Sequence, residues 1–258
     1  MKTAFLVCMV TMLVSLDGCT SKSTNPPSVQ DWCLWIGSDK DTYVWMEYPQ
    51  SNWKQQGYLA VAYLGDHKRS FVHFLMPNLP EGTIITRAYL ELYHGGQNED
   101  GYSDEIDMQV QRASASWSVA TLTWATQPTF SRQTEFYLHL RSKNWCGSDE
   151  IQDVVTEMIV HPENDFGFIV DYYDPALTHG IDKGLHSNNL DRTAADMKTA
   201  PRLLMKIRLP AGRTFSEITL PPLSSDNDLG FAPGTEILMM RYAPGSDWPD
   251  EWSVIADI

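Results

Sequence analysis

The chain has 258 residues, of which 43% are hydrophobic and 11% aromatic, so it can bury a full core and is not a disordered polypeptide. Its net charge of −14 repels phosphate backbones and argues against nucleic acid as a partner. The same charge disfavours acidic polysaccharides, unless a local basic patch outweighs it.

The first eighteen residues have the pattern of a bacterial export signal. A short apolar run follows Lys2, and Leu16-Asp17-Gly18-Cys19 resembles the cleavage motif of a lipoprotein. We therefore predict that residues 1–18 are a lipoprotein signal peptide and that Cys19 carries the lipid, with palmitate among its acyl chains. The alternative is an ordinary secretory signal, in which Cys19 has no role. Residues 19–30 are rich in Ser, Thr, Asn and Pro and predict a solvated tether.

Residues 31–209 contain short runs in which apolar and polar residues alternate, separated by Gly, Pro, Asn and Asp. Such runs between turns are typical of an antiparallel β-sandwich. The clearest run places Ile84, Thr86, Ala88, Leu90 and Leu92 on one face. The predicted strands are residues 69–76, 84–93, 105–112, 135–140, 166–172 and 202–209.

One segment has helical periodicity instead. After Asp149 the apolar residues recur at positions 151, 154, 155, 158 and 159, which lie on one face of a helix. Asp149 and Gln152 have the spacing of a capping box at its start, and His161-Pro162 ends it.

The last part of the chain, residues 210–258, has two further strand patterns at 236–242 and 252–255, between proline-rich turns. A segment this short and rich in proline is unsuited to an independent core. We predict an extension that packs on the sandwich, and the alternative is a small separate module.

Six motifs occur in a fixed order along residues 38–209. They are Asp41-Thr42-Tyr43-Val44, Arg69-Ser70-Phe71-Val72-His73-Phe74, Ala88-Tyr89-Leu90-Glu91-Leu92-Tyr93, the stretch from Trp117 to Pro128, Asn164-Asp165-Phe166-Gly167-Phe168, and Ala200-Pro201-Arg202-Leu203. This series resembles the DNRLRE domain family, bacterial extracytoplasmic β-sandwiches related to alginate-binding carbohydrate modules.

The resemblance implies a non-catalytic, all-β protein: an antiparallel jelly-roll-like β-sandwich with one short amphipathic helix and a C-terminal β extension. It also implies that Trp117 and Trp124 belong to the core. Arg69 stands where the family typically has arginine. His73 stands where lysine is common, and this departure disfavours an acidic glycan.

The chain lacks the sequence motifs of the common hydrolases, metalloproteases and nucleotide-binding enzymes. We therefore do not expect an enzyme. A polysaccharide-degrading enzyme is the less favoured alternative, since its paired carboxylates need no fixed spacing in sequence.

No cofactor or metal ligand is assigned from the sequence. The acidic loop residues Glu99, Asp100, Asp104, Glu105 and Asp107 suit a structural calcium ion, but their order does not match a dedicated calcium loop. A solvated acidic loop is the alternative. His179 and His186 lack the spacing of zinc ligands and are interpreted as solvated loop histidines.

Two cysteines remain after Cys8 in the signal and Cys19 at the lipid site. In an oxidising compartment such a pair usually closes. The sequence leaves two alternatives for Cys33 and Cys146, a disulfide or two buried thiols, because it does not show how close they lie.

Aromatic residues give the best indication of a ligand, and the chain has nine tryptophans. Sugars lay their C–H faces on aromatic rings, while polar side chains bond their hydroxyls. Trp53 and then Tyr48 are the first candidates, because they lie among Gln, Ser, Asn and Lys. The full candidate set is Trp53, Tyr48, Trp45, Arg69, Lys143 and Trp145. For Arg69 the structural alternative is an ion pair inside the sandwich.

The sequence thus predicts a non-catalytic, membrane-tethered lipoprotein that binds a polysaccharide in the bacterial cell envelope or at the cell surface. The alternative is a structural or adhesion subunit that docks onto another envelope protein. The predicted partners are a glycan, the membrane through the lipid anchor and other envelope proteins.

Replacing Cys19 with alanine tests the lipid anchor. Each buried CH₂ of an acyl chain contributes ~0.8 kcal/mol of membrane affinity. We expect the variant to stay uncleaved or to enter the soluble fraction, as measured by fatty-acid labelling and membrane fractionation. Cys33→Ala is the control and should fractionate as wild type. Wild-type protein that takes up no fatty acid and stays soluble would contradict the prediction.

Overall fold

The computed structural model describes residues 31–54, 56–64, 66–98, 105–129, 133–140, 144–174, 176, 180–187, 199–221 and 239–242. The predicted signal peptide and tether lie outside the described residues, as do Lys143 and the strand predicted at 252–255. The helices within these ranges include none that is long and apolar enough to cross a membrane.

The described part of the chain is mostly β-structure, as predicted. Its strands are β1 (Asp31–Gly37), β2 (Lys40–Trp45), β3 (Tyr58–Tyr63), β4 (Lys68–His73), β5 (Ile84–Asn98), β6 (Ile106–Arg112), β7 (Phe136–Leu140), β8 (Asn144–Ser148), β9 (Phe168–Asp171), β10 (Ile181–His186), β11 (Arg202–Arg208) and β12 (Met239–Tyr242). Helix α1 (Gln152–Val160) and the 3₁₀ turns Pro162–Asn164 and Phe215–Glu217 complete these elements.

Eight strands form a closed ring of hydrogen-bonded neighbours. The order is β10-β3-β4-β9-β6-β7-β8-β5, and β5 pairs with β10 to close the ring. Strand β2 attaches to β4, while β11, β1 and β12 follow one another outward from β5. The predicted all-β fold with one short helix is confirmed, but a closed barrel with extra strands replaces the jelly-roll-like sandwich.

The length of β5 explains this difference. The strand has 15 residues. It pairs with β11 from Ile84 to Glu91, with β8 from Glu91 to His94, and with β10 at His94 and Asn98. In a sandwich each strand ordinarily stays in one of two sheets. Here β5 pairs with β11 and β8 in its first part and with β8 and β10 in its last part. The hydrogen bonding is therefore continuous and is not divided between two sheets.

A β-bulge in β5 also corrects the predicted inner face of this strand. The register between β5 and β11 shifts at Thr86, which is left out of the pairing. An extra residue reverses the alternation of side chains on either side of it. Ile84 is therefore 54% exposed, whereas Ile85 is buried together with Ala88 and Leu90.

The main hydrophobic core fills the ring. Strands on all sides contribute to it, for example through Leu59, Val72, Leu92, Met108 and Leu138. Helix α1 adds Val155 and Met158 to the same core, in agreement with the predicted apolar face.

The predicted capping box of α1 is wrong. The helix begins after Ile151, which makes no side-chain cap hydrogen bond. The Asp149 carboxylate instead accepts hydrogen bonds from the backbone N–H of Tyr137 and bonds the ring of His139, at 3.0 Å each. The Asp149 side chain is therefore bonded to residues of β7 and does not cap the helix.

A second, smaller core lies between strands of the ring and the segment 117–128. Its buried members are Val44, Phe71, Ala113, Trp117, Val119, Leu122 and Ile169. The Trp117 indole N–H donates to the backbone carbonyl of Phe166 at 2.7 Å. The core position predicted for Trp117 is confirmed, while Trp124 is only half-buried at the edge of this second core.

Cys33 and Cys146 are not joined by a disulfide. Cys146 on β8 faces the main core, whereas Cys33 on β1 packs with Trp35 on the opposite face of the sheet. Strands β11 and β5 also separate them, and each strand adds about 4.8 Å. Both residues are thiols, of which Cys146 is buried and Cys33 half-buried, and burial raises the pKa of the Cys33 thiol.

The described parts of residues 210–258 contact the rest of the fold. Strand β12 pairs with β1. Phe215 packs on Trp32 with ring centroids 5.2 Å apart, and Ile218 belongs to the main core.

Truncating Trp117 tests the second core. Trp117 is 7% exposed, and a buried tryptophan replaced by alanine typically costs about 3–5 kcal/mol. We expect Trp117→Ala to lower the free energy of unfolding by that amount in denaturant titrations. Trp117→Phe keeps most of the apolar volume and should cost less. An alanine variant as stable as wild type would show that the second core does not depend on this ring.

Candidate functional site

Three aromatic residues of the predicted carbohydrate site lie together. Trp45 ends β2, and Tyr48 and Trp53 belong to the loop that follows. The Trp45 ring centroid is 4.6 Å from that of Tyr48 and 5.2 Å from that of Trp53, and the Tyr48 and Trp53 centroids are 6.0 Å apart. With Tyr43 and Tyr58 below them, these residues form what we call the aromatic cluster.

Trp53 is supported from beneath by other rings. It stacks on Tyr43 with centroids 5.4 Å and planes 19° apart, and Tyr43 stacks in turn on Tyr58 at 5.6 Å. Trp53 is consequently half-buried. The polar sequence neighbours that make Trp53 a candidate also favour an exposed ring, and the structure contradicts that expectation. Tyr48 is 47% exposed and presents the open ring of the aromatic cluster.

The loop that carries these rings is anchored at its centre. The Asn52 side-chain amide donates to the backbone carbonyls of Val119 and Leu122, at 2.8 Å each. The Ala125 N–H donates to the Pro49 carbonyl at 3.0 Å. The segment 117–128 therefore holds the loop in place, and a surface that is ordered before binding loses less entropy when a ligand binds.

Charged side chains border the aromatic cluster. The Lys68 ammonium lies 4.4 Å from the centroid of the Trp45 ring and forms ion pairs with Asp182 at 2.6 Å and with Asp66 at 3.6 Å. The Trp45 indole N–H donates to Asp66. The side chains of Asp66 and Asp182 are 26% and 21% exposed. Their carboxylates are acceptors for hydroxyl groups beside an aromatic surface.

The Trp53 indole nitrogen is buried and has no hydrogen-bond partner among the described residues. A buried donor without an acceptor is costly to a fold. This cost is a local feature of the packing around Trp53.

Arg69, another predicted site residue, is committed to the fold. Its Nε donates to the Asp171 carboxylate at 2.8 Å, and its guanidinium stacks 4.7 Å from the Trp124 ring centroid. His67 bonds the other oxygen of Asp171 at 2.8 Å. The side chain of Arg69 is only 9% exposed. The structural alternative, an ion pair inside the fold, therefore holds for this residue.

Trp145 lies on β8, apart from the predicted residues of the aromatic cluster. Its ring contacts Tyr93, with centroids 5.4 Å apart, and Tyr93 contacts His186 at 4.8 Å. We call these three residues the Trp145 patch. His186 belongs to β10, so its interpretation as a loop residue is wrong.

The Trp145 patch rests on a buried ion pair. The Arg202 guanidinium lies 3.5 Å from the Trp145 ring centroid and pairs with Glu91 at 2.5 Å. Burial raises the pKa of Glu91, and the neighbouring Arg202 partly opposes that shift. Sequence reasoning missed Tyr93, Glu91 and Arg202 as neighbours of Trp145, although Tyr93 and Glu91 fall within the strand predicted at residues 84–93.

The described residues include no group of three or more His, Cys, Asp or Glu side chains placed to hold a metal ion. In the acidic loop, Glu99, Asp100 and Asp104 lie outside the described residues. Asp107 bonds His139 at 2.9 Å. This bond and that from Asp149 raise the pKa of His139.

Residues 36–172 match the model of carbohydrate-binding module family 96. The matched stretch contains the whole aromatic cluster, the segment 117–128, helix α1 and Trp145. The match supports the relation to carbohydrate-binding modules that the motifs indicate. It does not support the DNRLRE family name specifically. No curated protein matches the chain.

Removing Asp171 tests the structural role of Arg69. Asp171 is 1% exposed, and loss of one partner from a buried ion pair typically costs about 3–5 kcal/mol. We expect Asp171→Ala to lower the free energy of unfolding by this amount in denaturant titrations. The control is Glu157→Ala, which breaks the exposed pair with Arg112 and should cost at most about 1 kcal/mol. Equal effects of the two substitutions would contradict the assignment.

Proposed function

Because the chain belongs to carbohydrate-binding module family 96, we propose that it is a non-catalytic protein that binds a polysaccharide through the aromatic cluster. Carbohydrate-binding modules typically hold a sugar without changing its bonds. The lipoprotein pattern at Cys19 extends the proposal to a lipid-anchored protein that presents this module in the bacterial envelope or at the cell surface.

The observation that carries the proposal is the exposed Tyr48 ring on a fixed aromatic base. Sugar rings need a flat apolar surface for their C–H faces. Tyr48 provides it at 47% exposure, packed edge-on against Trp45 and Trp53. Beside the adjoining Trp45, the carboxylates of Asp66 and Asp182 supply acceptors, as a sugar site requires.

Replacing Tyr48 with alanine tests this site. Loss of one stacking ring removes on the order of 1 kcal/mol of binding free energy, and 1.4 kcal/mol corresponds to a factor of about ten in Kd. We expect roughly fivefold weaker binding with an unchanged melting temperature, because the ring is exposed. The measurement is a glycan array with the purified protein, followed by calorimetry on the glycans that bind.

The matched control is Tyr137→Ala. Tyr137 is a similarly exposed tyrosine, at 42%, but it lies on β7 outside the aromatic cluster. Its removal should leave affinity unchanged. Trp53→Ala should weaken binding and also lower the melting temperature, because Trp53 is packed on Tyr43. If the wild-type protein bound no glycan, the proposal would fail in favour of a subunit that docks onto another envelope protein.

A further inference from the structure

We propose that the outer face of β5, β11 and β1 docks onto the anionic lipid surface that holds the protein's own anchor. The contact is made by Arg87, Lys206 and Arg208, which we call the basic patch. This docking rests on the lipid-anchored part of the proposed function, and it adds which face of the module lies against the membrane.

The strand register builds the basic patch. Lys206 on β11 is the direct cross-strand partner of Arg87 on β5, and direct partners project their side chains to the same face. Their strand neighbours Ala88 and Ile207 point into the main core, so both cations point outward. Arg208 follows Ile207 and points outward beside Lys206. Three cations therefore share one outer surface.

The β-bulge in β5 aims Arg87 at this position. It leaves Thr86 out of the pairing, so that Arg87 stands opposite Lys206. In a regular strand Thr86 would take that place, and Arg87 would point toward the core. Two like charges directly opposite each other destabilise a sheet, so the pair does not stabilise the fold. Bulges re-aim side chains at functional positions, and this one indicates that the two charges serve an external partner.

The charge of the basic patch is only partly neutralised. Asp31 accepts hydrogen bonds from Arg208 at 2.8 and 3.3 Å, and the Lys206 ammonium lies 3.9 Å from the same carboxylate. Arg87 is exposed and has no ion-pair partner among the described residues. The side chains of Lys206 and Arg208 are 36% and 45% exposed. Positive charge is thus in excess at this surface and accessible to a ligand.

The chain enters the fold at the basic patch. Asp31 is the first residue of β1, and the predicted tether from Cys19 leads directly to it. The eleven residues 20–30 span at most about 40 Å when extended, and a flexible chain of that length averages about 20 Å. They include Lys22 and no acidic residue. An anchor at Cys19 therefore keeps this face closer to the lipid headgroups than the far side of the ring.

The rest of the protein favours the same orientation. The whole chain has a net charge of −14, so an anionic lipid surface repels its other faces. Each Lys or Arg near such a surface strengthens binding by about fivefold. Ile84, the cross-strand partner of Arg208, is 54% exposed and adds an apolar contact at this face.

Docking through the basic patch leaves the aromatic cluster accessible. The cluster is built on β2, which pairs with β4, and β4 is three strands from β5 around the ring. The outer faces of these two parts of the ring point in different directions. A polymer can therefore reach Tyr48 while Arg87 contacts the membrane.

The reactivity of Lys206 tests the docking. The lipidated protein is placed on vesicles of phosphatidylcholine alone, or of phosphatidylcholine with about 30% of the anionic lipid phosphatidylglycerol. Lysines are then acetylated with an uncharged succinimidyl ester, and the modified peptides are measured by mass spectrometry. We expect Lys206 to react at least about threefold more slowly on the anionic vesicles. Lys54, exposed in the loop of the aromatic cluster, should react equally on both.

A variant and a matched control separate the basic patch from the charge of the whole protein. Arg87→Gln should remove most of the protection of Lys206 without lowering the melting temperature, because the substitution relieves a like-charge pair. Lys54→Gln removes the same charge elsewhere and should protect Lys206 as wild type does. In 1 M salt, where the Debye length is about 3 Å, the protection should disappear for all three proteins.

Equal reactivity of Lys206 on both kinds of vesicle, with the protein still bound to them, would overturn the docking and leave the proposed function intact. Protection of Lys206 by a soluble oligogalacturonate, but not by anionic vesicles, would assign the basic patch to a glycan and overturn the docking as well. A protein that binds neither kind of vesicle has no lipid anchor. The docking and the anchor would then fail together, whereas glycan binding on the array would be unaffected.

Discussion

The hydrogen bonding of β5 on both of its edges is the constraint on which the rest of the structure depends. One edge is shared in turn by β11 and β10, and the other is taken by β8. The inner face of β5 therefore supplies Leu90 and Leu92 to the main core, while its outer face places Glu91 and Tyr93 beside Arg202 and Trp145. Strand β5 therefore both closes the ring and positions the outer aromatic residues. Where its hydrogen-bonding neighbour changes from β11 to β10, β10 comes to lie next to Tyr93.

The aromatic cluster depends on a second, local constraint. Its loop is fixed to the segment 117–128 by Asn52, and that segment is fixed to the ring by the second core around Trp117 and Phe71. The site therefore has a layered support: Tyr48 packs on Trp45 and Trp53, Trp53 stacks on Tyr43, and the loop rests on the second core. Under the proposed function, stability and binding are coupled at Trp53 but separable at Tyr48, because only Trp53 stacks on Tyr43.

Strands could be predicted from the sequence where one face of the strand is buried and the other is exposed. Strands such as β6 and β7 alternate apolar and polar residues because one face of each is buried, and that pattern is visible in the sequence. Strand β10 gave no such signal, because Lys183 is fully buried at a position where an apolar residue would be expected. The sequence singles out the aromatic residues as site candidates, but it favours an exposed Trp53 and leaves two alternatives for Arg69, a ligand contact or an internal ion pair. Their true surroundings come from Tyr43 and Asp171, which only the tertiary strand pairing brings near.

The position of β1 has a mechanical consequence. This strand begins at Asp31, directly after the chain segment that we expect to serve as a tether, and it lies antiparallel between β11 and β12. A pull on the chain along the axis of β1 would load its hydrogen bonds to β11 in shear, so that they resist together and do not open one after another. Seven residue pairs, from Asp31 with Arg208 to Gly37 with Arg202, would share that load. In the proposed tethered protein, this geometry would keep the module folded while a bound polymer pulls on it in flow.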